Sequence, residues 1–427
     1  MKYRRIFAAS AALALAASAF SCGKGGNTAE TNTSTEETTV SLTVENSKTE
    51  SKSENSSKKT AVSTSDKSKK TTTTATTTKS NGKLPQSTAA SGKSGSSATT
   101  AAQNNSQGSN ADNGGNTAAE PETDEKLYTA EIVLGASPSV KGSNVSTNGS
   151  VVTIKGGGDF LFSGSVTDGQ ICVDTAVEEK VTIVLNGVDI SNSNGPAIFI
   201  SEAKKCTIKS REGTANYLSD GGKDKVNNGV IFSNDTVRLK GNGELNITAN
   251  NAHGIASDDD IIIDNGTYNI TSKKSGIYAH DDITVNDGRL TVKGGTNGMK
   301  SKGTININGG YTVISGGTKE DKSSIYSDGA FSYTGGYVYA AGNKVTAPSY
   351  SGNPYVIVEL SEIAGAGSNV EMLLNGQRMV SFEPHNEFRC LLMLAPEISS
   401  GNSFRANVNG YGNDLTISDG MNLLKMN

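Results

Sequence analysis

The chain has 427 residues, of which 34% are hydrophobic, 49 are glycine and none is tryptophan. That mixture excludes a helical enzyme core and leaves disorder or a turn-rich β protein. Its 39 basic and 43 acidic residues give a net charge of −4, with no electrostatic footprint for nucleic acid.

Residues 1–22 read as an export signal. Lys2, Arg4 and Arg5 form a basic start, and Ile6 to Phe20 is an Ala-rich apolar stretch too short to span a bilayer comfortably. Ala19-Phe20-Ser21-Cys22 puts small residues one and three places before a cysteine. This resembles a lipoprotein signal, in which the Cys22 thiol is acylated and becomes the new N-terminus, although leucine is usual where Ala19 stands. An ordinary secretory signal that precedes a cysteine is the alternative. Under either reading the chain is exported. The lipoprotein reading anchors it through lipid alone to the outer face of the bacterial cell membrane, exposed at the cell surface.

Residues 23–126 are low in complexity, and between Ser63 and Lys126 the only large apolar residue is Leu84. Such a segment buries too little apolar surface to offset the entropy of ordering it. It reads as a disordered Ser/Thr/Lys-rich linker with a span of about 55 Å by flexible-chain scaling. Beyond Cys22 the cysteines are Cys172, Cys206 and Cys390, an odd and sparse set that is no disulfide framework. They show no zinc spacing with His253, His280 or His385.

From Leu127 the chain repeats itself. Ile261-Ile262-Ile263-Asp264-Asn265-Gly266 leads to Gly276-Ile277-Tyr278-Ala279. Ile283-Thr284-Val285-Asn286-Asp287-Gly288 leads to Gly298-Met299-Lys300-Ser301. Ile305-Asn306-Ile307-Asn308-Gly309-Gly310 leads to Ser324-Ile325-Tyr326-Ser327. Gly266, Gly288 and Gly310 stand 22 residues apart. Each unit holds three short strands with one buried face, separated by Gly and Asn/Asp turns. Strands this short bury a face only by coiling and stacking coil on coil. About 22 residues per coil suits a parallel β-helix, whereas a propeller blade needs roughly twice that. A meander of hairpins is the alternative.

Fainter coils precede these, through Val181-Thr182-Ile183, Cys206-Thr207-Ile208 and Val237-Arg238-Leu239, with a loop inserted around Gly213 to Asn228 and a further coil using Val151 to Val173. The phase predicts an internal stack of Ile198, Val230, Ile255, Ile277, Met299 and Ile325. Their successors, Cys172, Phe199, Ile231, Ala256, Tyr278, Lys300 and Tyr326, are expected to face solvent on one flat sheet. Cys206 reads as inward on another strand, out of disulfide reach of Cys172. Phe331 to Ala340 carries Tyr337 and Tyr339 pointing outward. The fold class is therefore all-β: a right-handed parallel β-helix over 127–344, with a C-terminal β cap over 345–427 to cover its open end.

Val181 to Ile190 followed by Gly195-Pro196-Ala197-Ile198, together with Gly254 to Asp259 and Gly276 to Asp282, resembles a bacterial carbohydrate-binding β-helix family over roughly Glu131 to Lys344. The resemblance implies a right-handed parallel β-helix similar to polysaccharide lyases, and binding of cellulose or polygalacturonate with bound calcium. The sequence departs where Lys302-Gly303 stands in place of the paired acids of two earlier coils.

Two groups of residues carry candidate chemistry. Asp235, Asp258, Asp259, Asp260, Asp281 and Asp282 follow one strand, and stacking brings Asp259 beside Asp281 and Asp260 beside Asp282. A hard cation such as Ca2+, which takes 6–8 oxygen ligands, relieves that repulsion; solvated turn residues are the plain alternative. Tyr278, Lys300 and Tyr326 share one outward column, where rings pack on sugar faces and Lys pairs with a uronate carboxylate. The expected function is non-catalytic binding of a plant cell-wall polysaccharide by a monomer. A calcium-dependent lyase using Lys273, Lys274, Lys300 or Lys302 as base is a second reading, and an adhesin that binds a protein or host surface is a third. Cys22→Ala should leave the protein unprocessed or release it from the membrane fraction, checked by lipid labelling and fractionation; unchanged labelling would remove the lipid anchor.

Overall fold

The computed structural model describes residues 127–220, 226–317, 319 and 322–427; the signal, Cys22 and the linker lie outside them. Among the described residues the secondary structure is all β, with no helix. None is therefore long and apolar enough to cross a membrane.

The strands stack into a parallel β-helix with three columns. The first column runs Gln170–Asp174, Ile198–Glu202, Gly229–Ser233, His253–Ser257, Ile277–Ala279, Met299–Ser301 and Ile325–Ser327, each parallel to the next. The second runs Lys205–Ser210, Val237–Gly241, Ile261–Ile263, Ile283–Val285, Ile305–Ile307 and Phe331–Tyr333. The third runs Ala215–Asp220, Glu244–Ala249, Thr267–Ser272, Arg289–Gly294, Tyr311–Ser315 and Tyr337–Gly342. Parallel pairing throughout removes the hairpin meander. The 22-residue repeat is the register itself, with Ile255 on Ile277 on Met299 and Ile261 on Ile283 on Ile305.

The strands alternate because one face lines the lumen. Ile255, Ile277, Met299 and Ile325 are fully buried, as are Ile261, Ile283, Ile305 and Phe331 across from them. Gly266, Gly288 and Gly310 turn the chain from the second column to the third with φ of 118°, 113° and 82°. A Cβ on Gly310 would approach the Gly288 carbonyl oxygen to 2.6 Å, so both conformation and space demand glycine there.

Three features depart from the alternation read in the sequence. Ile231, not Val230, stacks between Ile198 and Ile255, and Phe232 takes the outward place beside Phe199 and Ala256. All five residues of Gly229–Ser233 are buried, so their apolar run hides its own phase. The segment read as an inserted loop contains the regular strand Ala215–Asp220, in register with Glu244–Ala249. It was hidden because Asn216 occupies an inward place. Its amide oxygen accepts from the Gly187 and Val188 N–H groups, and its Nδ2 donates to the Glu244 carbonyl, so the buried polar group is satisfied. Finally, Tyr339 points away from the lumen but not into solvent: it is fully buried in a second core under the cap.

The cap continues the last rung. Phe388–Leu394 pairs antiparallel with Tyr337–Gly342 and also with Tyr355–Ala364, which pairs in turn with Met421–Met426. A four-stranded antiparallel sheet of Gln377–Phe382, Val370–Leu374, Ser403–Val408 and Tyr411–Thr416 completes it. At the other end, Ser139–Gly142 folds back on Ala130–Leu134, and Val145–Asn148 on Val151–Ile154. Cys172 is half-buried, Cys206 is in the lumen wall, and both are free thiols. Ile277→Ala should cost about 2–5 kcal/mol, as for other fully buried aliphatic truncations, whereas the outward Thr284→Ala should stay within about 0.5 kcal/mol. Urea denaturation of both variants checks the phase of the lumen; similar losses would mean that it is misassigned.

Candidate functional site

The first column's strands shorten to three residues in its later rungs, and each of these then has one outward side chain: Tyr278, Lys300 and Tyr326. The register places them directly above one another. Lys300 Nζ lies 5.6 Å from the ring centroid of Tyr278 and 5.6 Å from that of Tyr326, a cation held between two aromatic faces. The neighbouring Asp328 carboxylate raises the pKa of the Tyr326 hydroxyl.

Upstream the ladder continues in rings. His253 stacks on Tyr278 at 4.8 Å between centroids and 20° between planes, over the small Ala256. Phe232 and Phe199 follow at 6.2 Å from each other. The Ser275 N–H donates to His253 Nδ1, which fixes that nitrogen as an acceptor. Burial, then the nearby Lys274 ammonium, pushes the His253 pKa down to about 3, so its imidazole is neutral across the physiological range. His280 meets the Tyr278 ring edge-on at 5.4 Å and lies 3.9 Å from Asp258. Phe232, His253, Asp258, Tyr278, His280 and Lys300 line a groove of about 500 Å³ that also includes Lys274, Thr296 and Lys322, and Tyr326 continues the column on the rung after Lys300.

The acidic residues divide. Asp259, Asp260 and Asp281 each bring one oxygen to within 4.8 Å of the others, so three carboxylates are within reach of one cation. The other three lie outside that group. Asp235 accepts the Ala203 N–H at 3.1 Å, Asp258 belongs to the groove with His280, and Asp282 accepts the Thr304 N–H at 2.7 Å. Asp260 in turn accepts the Asp282 N–H at 3.0 Å, and Asp259 the Thr236 hydroxyl at 2.7 Å. The departure in the acidic pattern sits one residue later than the sequence suggests. With Ser257 on Ala279 on Ser301, the position after Asp259 and Asp281 is Gly303, that after Asp260 and Asp282 is Thr304, and Lys302 follows Asp258 and His280.

His253 and His280 are site residues that sequence reasoning missed. His253 has the parity of an inward residue, so alternation gave no signal. His280 had one: it stands between Asp258 and Lys302 in the repeat.

A family model described as "carbohydrate-binding domain-containing protein" matches residues 148–377, the rungs that carry this groove and the start of the cap. The chain belongs to that carbohydrate-binding family. A curated relative from Acetivibrio thermocellus, also described as a carbohydrate-binding domain-containing protein, is 38% identical over 123 residues, 27% of this chain and 42% of the relative. The chain therefore spans less than half the length of that relative. A solved structure of a polysaccharide lyase-like protein from C. thermocellum, a gadolinium derivative, is 28% identical, covering 52% of this chain and 98% of its own with a TM-score of 0.42.

The acid cluster has a consequence for stability. Burial, then the adjoining Asp259 carboxylate and its neighbours, holds the Asp281 carboxyl above its ordinary value. A carboxyl raised in the folded state favours folding while protonated, and that contribution is lost as pH rises through its folded value. In the absence of divalent cations, Asp281→Asn should therefore raise the melting temperature at pH 7, with the gain shrinking as pH falls below the ordinary aspartate range. Thermal scans across pH in chelator check this; a lower melting temperature at pH 7 would mean that the carboxylate is compensated by groups of the chain itself.

Proposed function

We propose that the protein is a non-catalytic binder of an acidic or cellulosic plant-type polysaccharide, and that it uses the outer face of the first column. The observation that carries this reading is Lys300 held between the Tyr278 and Tyr326 rings. Rings offer flat apolar faces to pyranose C–H groups, and an ammonium fixed among them can pair with a uronate carboxylate. The neutral His253, stacked on Tyr278 and engaged through Nδ1, supports the surface and keeps its other ring nitrogen for donation.

Calcium is proposed to assist. Asp259, Asp260 and Asp281 supply only oxygen ligands, and burial together with the neighbouring carboxylates raises the Asp281 carboxyl, a cost that a cation would offset. A calcium bound there would bring positive charge to the turn beside the groove. We further propose that the chain is a monomer, exported and held at the cell surface through lipid on Cys22, with residues 23–126 as the tether. A lyase would need a base with a lowered pKa beside the metal. The Lys274 and Lys300 ammonium groups, which line the groove, are the candidates for that base.

Binding to polygalacturonate and to cellulose, each with calcium and with chelator, tests the reading. Tyr278→Ala should weaken both by roughly two- to tenfold, the loss expected of one aromatic contact of about 0.5–1.5 kcal/mol. Lys300→Ala should weaken polygalacturonate more than cellulose, with a difference that shrinks as salt rises. Unchanged affinity in both folded variants would move the binding surface elsewhere, and release of unsaturated uronate, seen by its absorbance, would make the protein a lyase.

A further inference from the structure

The groove has a direction. In the rungs of Ile277–Ala279, Met299–Ser301 and Ile325–Ser327 the strand is three residues long, with its first residue in the lumen and its middle residue outward. The floor is therefore one side chain wide across the strands. Along the helix axis it continues from rung to rung: Phe232, Ala256 with the His253 ring over it, Tyr278, Lys300 and Tyr326. Neighbouring rungs are about 4.8 Å apart, so these five positions extend over roughly 19 Å.

The walls are built the same way. One side is the turn that enters the column, with Lys274 and Thr296 joined by a backbone hydrogen bond from Thr296 N–H to the Lys274 carbonyl at 3.0 Å. The other is the turn that leaves it, where Asp258 and His280 occupy successive rungs. A chain laid across the strands would meet one floor residue and then climb a wall. A chain laid along the axis would meet a ring or an ammonium at nearly every rung, with polar side chains on both flanks for its hydroxyls.

Building on the polysaccharide-binding reading, we propose that the glycan lies along the β-helix axis, about one sugar residue per rung, and that the site takes an extended 1,4-linked chain of roughly five residues. The physical basis is commensurability. The rung spacing is set by backbone hydrogen bonding, and an extended 1,4-linked pyranose chain advances by nearly the same length per residue. The floor then repeats in step with the ligand, and each added sugar finds a new rung. Lys300, at the fourth position, is the place where a residue carrying a carboxylate is preferred; Tyr278 and Tyr326 on either side take ring faces irrespective of charge.

Calorimetry with wild-type protein and defined oligogalacturonides and cello-oligosaccharides of two to eight residues (sizes chosen about the five rungs of the floor) tests this. Affinity should rise severalfold with successive residues and level off at about five. A longer oligomer carrying a photoreactive group at its reducing end should label one end of the ladder, at the Phe232 rung or the Tyr326 rung. A plateau at two or three residues, or labelling of the flanking turns at Lys274 or His280, overturns the axial arrangement while leaving the site in place. Binding that does not depend on Tyr278, shown with Tyr278→Ala, overturns the site itself and the axial arrangement with it.

Discussion

The hydrogen-bond ladder between parallel rungs is the constraint on which everything else depends. It holds equivalent positions of successive coils about 4.8 Å apart, whatever side chains stand there. Inside, that distance is tolerable only for residues that pack, which is why Ile255, Ile277, Met299 and Ile325 follow one another in the lumen. Outside, it forces like onto like. Where the stacked groups attract, a cation sits between rings, as with Tyr278, Lys300 and Tyr326. Where they repel, as with Asp259 and Asp281, the strain must be relieved by a proton, a donor or a cation. Where they are amides, a chain of hydrogen bonds forms: Asn308 donates to Asn286 and Asn286 to Asp264, each at 3.1 Å, while Arg238 closes the row on Asp264 at 2.6 Å.

A stack with open ends would expose a row of unpaired backbone groups and an apolar lumen. The protein closes each end differently. At the start, Ser139–Gly142 and Val145–Asn148 run antiparallel to the strands they cover. At the finish, Phe388–Leu394 adds an antiparallel strand to the last rung and brings a core of its own. The cap is also strapped to the rungs from the side, because the His385 N–H donates to Ser315 Oγ at 2.9 Å and Asn386 Nδ2 to the Gly294 carbonyl at 2.8 Å. These bonds tie the cap to the third column, and the outer face of the first column is the surface that carries the aromatic ladder.

The repeat was legible because residue class is kept in phase by the lumen: Ile261, Ile283 and Ile305 could be read as one column from their spacing alone. Phase was lost wherever burial is not governed by the lumen. Gly229–Ser233 is buried on both sides, so nothing in its composition tells Val230 from Ile231. Asn216 is inward and polar, and only its three-dimensional partners explain it. Tyr339 is outward from the helix but covered by a domain that follows it in the chain. The candidate site was half legible for the same reason. Tyr278, Lys300 and Tyr326 occupy regular strand positions, whereas His253 enters the groove by leaning from one rung onto the next, a tertiary contact that period-2 reading does not contain.

The extent of the acidic cluster follows from the same register. Asp235, Asp259 and Asp281 stand in one column, and a fourth acid would fall at residue 303. Gly303 is there instead, and a Cβ at that position would come within 2.4 Å of Asp282 Oδ1, the oxygen that already accepts the Thr304 N–H. Space for the neighbouring carboxylate thus ends the column, and the next rung supplies backbone N–H groups rather than charge: the Gly303 N–H donates to the Asp281 carbonyl at 3.0 Å. The result is a compact group of carboxylates at one turn rather than a continuous acidic stripe. Lys302 takes the register position that Asp258 and His280 hold on the two preceding rungs, so that turn changes from acidic to basic within three rungs. On the axial arrangement proposed above, a ligand would pass an acidic turn at Asp258 before a basic one at Lys302.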